Sequence, residues 1–407
     1  MEFFISKRLK ERCKDCKFCE EFIDCPDESR CIGCGACVEA CPFEARVLER
    51  YVPKHHVKIF INNNQVFVPE RISILKTLNL AGIKVGRLPN EGEISAPCQT
   101  GGCFNCVVIA NGKLVRSCIT PVKEGMIIST SKEEIEKFPP VRLVDGFQPH
   151  PVGGVGTPYE LKKYFPYSHY IEVACFAHGC ILRCPTCQNW QITYSSKGDP
   201  LTPMQAAQIL TNVRRKYGVD RMAISGGEST LNRRWLVEFV KMLKTLNPDK
   251  DARIHIDTNA VCLTKDYIDE LIEAGMTDIG PDIKGLEFET FIKITNVKGI
   301  NLAKRLWSNN WKAVEYLLKS CFDKIFVGIG IPYNKIFITS DEIYGIGEKL
   351  ANLQPEVQVC VLDYRPTFRK RNITRPSYSE MKKVHQILKE AGLKKVYCQT
   401  THGLILP

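Results

Sequence analysis

Cysteine placement constrains this chain more than any other feature. Fifteen of its twenty cysteines fall in three close-spaced runs, at positions 13–41, 98–118 and 180–187. So many cysteines would mean disulfides in a secreted protein, but the start, MEFFISKRLKERC, lacks the apolar core of a signal peptide. No apolar run approaches the roughly 18 residues that span a bilayer. The expectation is a protein of the reducing cytoplasm, without membrane contact, whose cysteines bind metals. At 407 residues it divides into two to four domains.

The first run reads C-x2-C-x2-C-x5-C-P through Cys13, Cys16, Cys19 and Cys25, then C-x2-C-x2-C-x3-C-P through Cys31, Cys34, Cys37 and Cys41. Three thiolates in successive C-x2-C steps before C-P suit a cubane better than a pair of zinc sites. The string CIGCGACVEACP resembles bacterial dicluster ferredoxins, in which three close cysteines hold one 4Fe-4S cluster and the fourth, before proline, ligates the other. The resemblance implies one cluster on Cys13, Cys16, Cys19 and Cys41 and a second on Cys31, Cys34, Cys37 and Cys25, in a domain over residues 1–50. The chain departs from that family between the runs, where only a proline and DESR separate Cys25 from Cys31.

From Val57 the composition alternates, VKIFINNNQVFVP, which predicts a hairpin turning at Asn62 to Asn64. Cys98, Cys103, Cys106 and Cys118 then read C-x4-C-x2-C-x11-C, close to the plant-type 2Fe-2S spacing. A zinc ribbon would use two C-x2-C knuckles instead. The surrounding PCQTGGCFNCVVIANGKLVRSCITPVKEGM resembles the small ferredoxin domains fused to dehydrogenases, which implies a 2Fe-2S domain over residues 51–131. Gly101 and Gly102 allow backbone amides to approach the sulfurs. Residues 132–165, broken by proline and glycine, read as a linker or strap.

After Tyr170 apolar strands are expected near 170–175, 221–225, 253–257, 277–283, 324–331, 357–362 and 395–398, with amphipathic helices between them. One helix opens at Thr202 and Pro203, and another runs from Thr264 to a stop at Gly275. This alternation predicts an α/β fold, an open or partial barrel of about six β/α units, with two small α+β domains before it. In such folds chemistry gathers at the C-terminal strand ends. The cysteine triplet, SGGEST, DTNA, PDIK, Pro332 and DYRP each follow or end a strand there.

With GCILRCPTCQNW and GGE, the chain from about residue 170 to about 400 is similar to radical SAM enzymes, and most to the pyruvate formate-lyase activase and AmmeMemoRadiSam branches, which implies a radical SAM domain over residues 166–407. The resemblance explains the triplet. Cys180, Cys184 and Cys187 would leave one iron of a 4Fe-4S cluster open to S-adenosylmethionine (SAM), whose cleavage to a 5′-deoxyadenosyl radical belongs to the cofactors. It also implies that Gly226, Gly227 and Glu228 bind the SAM amino group, that Asp257, Thr258 and Asp282 form a monovalent-cation site, and that Lys284 lies near the SAM carboxylate. The residue before the third cysteine is commonly aromatic in the family but is Thr186 here, so adenine packing falls to Trp190 or Tyr364. Cys175, Cys262, Cys321, Cys360 and Cys398 read as small buried hydrophobes, although Cys262, just past DTNA, is placed where a thiol donates hydrogen. His178 reads as a loop hydrogen-bonder.

The cofactor expectation is therefore SAM, three 4Fe-4S clusters, one 2Fe-2S cluster and a monovalent cation. Such clusters lower the formal charge of +11 by about 7, to about +4, and the cations are dispersed, so no nucleic-acid partner is expected. The expected partners are an external low-potential electron donor and a small-molecule or protein substrate. Activation of a glycyl-radical enzyme, and service as an electron-transfer subunit of a redox complex, are the alternative readings.

Overall fold

The structure, a computed structural model, describes residues 2–25, 29–89, 91–164 and 169–407. Residues 26–28, part of the spacer between Cys25 and Cys31, and 165–168, at the expected start of the radical SAM-like domain, lie outside the described residues. Two compact units result. One comprises Met1–Val144, Ala177–Ile181 and Asn189–Thr202, and the other Asp145–Phe176, Leu182–Gln188 and Pro203–Pro407.

In the first unit, strands Phe3–Arg8 and Arg46–Tyr51 pair antiparallel, Phe3 opposite Tyr51 and Arg8 opposite Arg46. This clasp brackets the eight cysteines, which lie in loops and in the short helices Phe18–Glu21 and Ala36–Ala40. A five-stranded sheet follows, in the order Asn64–Pro69, His56–Ile61, Ile127–Ser129, Val107–Ala110, Lys113–Arg116. The expected hairpin is there. Ile61 pairs with Asn64, and Asn62 and Asn63 both have positive φ, 48° and 68°, the two-residue turn whose twist matches paired strands.

The second unit is built on one nine-stranded sheet in chain order: β1 Val144–His150, β2 Glu172–Ala177, β3 Arg221–Gly226, β4 Arg253–Thr258, β5 Asp278–Pro281, β6 Phe326–Tyr333, β7 Gln358–Asp363, β8 Lys395–Thr400 and β9 Gly403–Ile405. β3 through β8 pair in parallel, and β9 returns antiparallel. The seven expected strands are β2 to β8. Helices connect them and bury one face each: in Arg233–Leu246, Trp235, Leu236, Phe239, Val240 and Leu243 are all at most 1% exposed. Each such side chain contributes about 2 kcal/mol of transfer free energy. Helix Lys265–Ala274 ends where expected, with Gly275 at φ 114°, a conformation glycine adopts without steric cost.

The stretch expected as a linker or strap carries regular elements of its own. Residues 132–165 hold helix Lys132–Glu136, all of β1 and helix Tyr159–Tyr164, and the glycine-rich piece between β1 and that helix enters the barrel. The first residues of the strands bind it. Arg221 of β3 donates to the Gly156 carbonyl at 2.6 Å and to the Thr157 hydroxyl. Gln358 of β7 donates to the Thr157 carbonyl at 2.7 Å and accepts from the Tyr159 amide at 2.6 Å. A methyl group on Gly154 would collide with the Asp257 carboxylate, and one on Gly156 would lie 2.6 Å from the Ile279 carbonyl carbon. Only glycine allows so close an approach of backbone to sheet. One short segment thus touches strands from β3 to β8, Tyr397 included, so the sheet curls around it and is closed at its N-terminal end.

Buried charge stabilises that closure. Arg221, fully buried, lies 2.7 Å from Glu172 and 3.7 Å from Asp278. Burial alone would raise the Glu172 pKa, but the Arg221 guanidinium and the neighbouring His150 and His255 rings, 3.5 and 3.6 Å away, outweigh it and hold the carboxyl well below its usual range. Removing one member of a buried ion network leaves its partners uncompensated, which costs about 3–5 kcal/mol. Arg221→Met should therefore lower the denaturation midpoint of the catalytic unit by that equivalent in an anaerobic urea titration; an unchanged midpoint would show that the network carries no stability.

Candidate iron–sulfur and catalytic site

The N-terminal cysteines sit among hydrogen-bond donors aimed at sulfur. The Ser6 amide donates to Cys31 Sγ at 3.2 Å, the Gly33 amide to the same sulfur at 3.4 Å, and the Ala45 amide to Cys41 Sγ at 3.2 Å. Arg46, itself buried, places Nη2 3.6 Å from Cys19 Sγ. Cys25, Cys31, Cys34 and Cys37 interact electrostatically with one another. Burial pushes the Cys34 thiol up to about 12 and the Cys37 thiol up to about 11. Cys19, Cys25, Cys31 and Cys37 line one cavity of ≈ 560 Å³. Cys13 is half-buried and Cys16 exposed.

The second set is fully enclosed. Cys98, Cys103, Cys106 and Cys118 are each at most 3% exposed, with thiol hydrogen bonds linking Cys103 to Cys98 and Cys118 to Cys106. The Thr100 amide donates to Cys98 Sγ at 3.4 Å. All twenty cysteines are free of disulfides. Among the described residues, no three Cys, His, Asp or Glu side chains converge on a single ion position. Sulfur-only donor sets ringed by backbone amides fit iron–sulfur clusters, which supply the positive charge that lets buried thiols ionise.

In the third run Cys180 and Cys184 are buried and Cys187 is half-buried. Burial pushes the Cys184 thiol up, and the Lys284 ammonium works against that. Lys284 Nζ is 3.0 Å from Asp282 Oδ2. Burial would lower the Lys284 pKa, but Asp282, followed by Tyr364 and Cys184, holds it well above the ordinary lysine value. Tyr364, 6% exposed, is pushed up by burial and by Cys184. Trp190, the other aromatic considered for adenine, instead packs on Phe18, ring centroids 4.8 Å apart.

At the C-terminal end of β3, Gly226 adopts φ 110° and Glu228 is 1% exposed. Its carboxylate is already engaged. It accepts from the Thr230 amide at 3.0 Å and hydroxyl at 2.6 Å, from the Thr258 hydroxyl at 2.6 Å and from the Asn259 amide at 2.8 Å. Glu228 thereby ties the end of β3 to the end of β4. Thr258 is turned to Glu228, and Asp257 Oδ1 lies 3.1 Å from His255 Nε2. Cys175, Cys262, Cys321, Cys360 and Cys398 are all buried. His178 is a hydrogen-bonded loop residue, Nδ1 3.1 Å from the Ser195 carbonyl.

Residues the sequence did not single out are Arg116, Arg221, Glu172 and His255. Each acts through partners far along the chain, which no local motif announces.

Comparison with known proteins gives three family matches: residues 175–337 to the radical SAM superfamily, 54–133 to a 2Fe-2S iron-sulfur cluster binding domain and 25–47 to a 4Fe-4S binding domain. The chain is 33% identical over 110 residues to the PqqA peptide cyclase of Bradyrhizobium diazoefficiens, covering 27% of each chain. It is 30% identical over 120 residues to a probable GTP 3′,8-cyclase of Methanocella arvoryzae, covering 30% of this chain and 36% of that protein. It therefore spans well under half the length of either relative. The structure of Streptococcus suis SuiB bound to the precursor peptide SuiA aligns with a TM-score of 0.43 and 16% identity, over 60% of this chain and 52% of that one. Among the described residues no helix is long and apolar enough to cross a membrane. By these three matches residues 175–337 form a radical SAM domain, preceded in the chain by a 4Fe-4S binding domain over 25–47 and a 2Fe-2S domain over 54–133.

Proposed function

We propose that the chain is an enzyme that reductively cleaves SAM at the C-terminal strand ends of its barrel, drawing the electron through its own ferredoxin-type domains, and uses the result for hydrogen abstraction. When bound, the cluster on Cys180, Cys184 and Cys187 and its SAM supply the chemistry, a one-electron cleavage to methionine and a 5′-deoxyadenosyl radical. The chain's residues bind and orient. Gly226 and Gly227 present backbone to the SAM amino group, Glu228 fixes that backbone, and Lys284, steered by Asp282, faces the carboxylate. Tyr364 supplies an aromatic wall beside Cys184. Asp257, Thr258 and Asp282 are the donors for a monovalent cation; the glycine-rich segment brings Gly154 against the Asp257 carboxylate and the Val155 side chain against Gly330, which itself adjoins Asp282. An external low-potential carrier fills the clusters, and the hydrogen comes from a small molecule or another protein, a glycyl-radical enzyme being one form of the latter.

The observation that carries this reading is the buried trio Cys184, Lys284 and Tyr364, with the half-buried Asp282 carboxylate 3.0 Å from the Lys284 ammonium. A buried ammonium beside a thiol and a carboxylate is expensive to desolvate unless the site has work for it.

Anaerobically reconstituted protein should hold about 14 iron atoms, from three 4Fe-4S clusters and one 2Fe-2S cluster, and release 5′-deoxyadenosine from SAM once reduced. Cys184→Ala should abolish that release while the 2Fe-2S signal persists; full activity in this variant, or stoichiometric zinc with little iron in the wild type, would refute the assignment. Glu228→Ala strands the buried Thr258 hydroxyl and Asn259 amide, at about 1–3 kcal/mol each. Anaerobic calorimetry should then show SAM binding weakened about tenfold or more at unchanged iron content, whereas wild-type affinity would remove Glu228 from the binding machinery.

A further inference from the structure

We propose, given the function proposed above, that the loop carrying Cys98 and Cys103 is the last contact before Cys180, so that the 2Fe-2S centre is the immediate redox neighbour of the catalytic cluster, and that Arg116 is the positioning residue that holds it there. The contact is backbone on backbone. A methyl group on Gly102 would lie 2.5 Å from the Gly179 amide nitrogen, 2.7 Å from the His178 carbonyl carbon and 2.8 Å from His178 Cβ. One on Gly179 would lie 3.0 Å from both the Cys103 amide nitrogen and Cys98 Cβ, and 3.3 Å from Cys103 Cβ. Two glycines facing each other let the ligand loop of one centre touch the residue next to Cys180 with no side chain between.

Arg116 locks this arrangement. Its Nη1 donates to the Gly101 carbonyl at 2.9 Å and to the Ser196 carbonyl at 2.7 Å, and its Nη2 to Asp24 Oδ2 at 2.7 Å. The guanidinium also lies over the Phe104 ring, 4.7 Å from its centroid, and the side chain is 14% exposed. One planar fork thus joins the 2Fe-2S loop, the segment after the catalytic cysteines and the residue beside Cys25, a geometry lysine reproduces only in part. The Asp24 amide adds a bond to Ser196 Oγ at 2.8 Å.

On its other side the 2Fe-2S set faces the second 4Fe-4S set, because Cys118 and Cys34 line the same cavity of ≈ 200 Å³. The order that results is Cys25/Cys31/Cys34/Cys37, then the 2Fe-2S centre, then Cys180. The rival contact, Phe18 beside Cys19 packed on Trp190, interposes two aromatic rings. With a 2Fe-2S centre held by Cys98, Cys103, Cys106 and Cys118 and a 4Fe-4S cluster by Cys180, Cys184 and Cys187, the transfer would be of one electron, the donor centre going from reduced to diferric and the acceptor from its 2+ to its 1+ state. No bond or proton moves, and an external low-potential one-electron donor refills the centre through the Cys34 side.

Microwave power saturation of the 2Fe-2S electron paramagnetic resonance signal tests this order in the full-length chain, reconstituted and photoreduced until the catalytic cluster is paramagnetic. A reduced cluster close by speeds spin relaxation. The half-saturation power should therefore fall when Cys180, Cys184 and Cys187 are all replaced by alanine. Arg116→Ala should move it the same way with iron content and g values retained, and Arg116→Lys should restore part of the difference. A half-saturation power indifferent to loss of the catalytic cysteines, in a protein whose wild type still cleaves SAM, overturns the order and leaves the proposed function standing. An Arg116→Ala protein that relaxes like the wild type removes Arg116 from its role, and a wild type with no 2Fe-2S signal overturns both the relay and this order.

Discussion

Burial keeps a thiol protonated, and every working part of this chain is arranged against that tendency. Cys34 and Cys37 are pushed up to about 12 and 11 by burial, and Cys184 is raised by the same cause. Such groups become ligands only when a metal supplies charge and nearby donors share the load. The donors are structural. The Ser6 amide comes from the strand that clasps Arg46–Tyr51, and Arg46 reaches Cys19 from the partner strand. Clusters bound there would contribute their binding free energy to the folding of the first fifty residues.

The barrel meets a different demand with the same economy. A parallel sheet with chemistry at its C-terminal ends must still be sealed at the other end. Here a segment of backbone fills that end, its carbonyls received by Arg221 and Gln358. Because the segment brings Gly154 against Asp257 and Val155 against Gly330, itself beside Asp282, the seal also supports two carboxylates of the proposed SAM site from below.

Regular elements were legible in the sequence because their signals are local. Alternation and the asparagine turn mark the hairpin at Asn62 and Asn63, and Thr264 with Gly275 brackets a helix. The cysteine runs and GGE mark their positions for the same reason. The segment at 151–158 was not legible, since proline and glycine erase periodicity whether a stretch is a free linker or a backbone pressed against a sheet. Nor were the partners of Glu228, whose carboxylate accepts from the Thr258 hydroxyl thirty residues on. Arg116 joins partners 15, 80 and 92 positions away, and nothing in its neighbourhood distinguishes it from any strand-end arginine.

The central claim is that electrons stored in the ferredoxin-type domains reach the catalytic cluster of the same chain. The most direct measurement reduces the reconstituted protein fully, removes the reductant by gel filtration, adds SAM to a dilute sample and counts 5′-deoxyadenosine per chain. Refilling of the catalytic cluster from within predicts more than one equivalent per chain. A yield that stops at one equivalent or below, with the other clusters still reduced, would contradict the account.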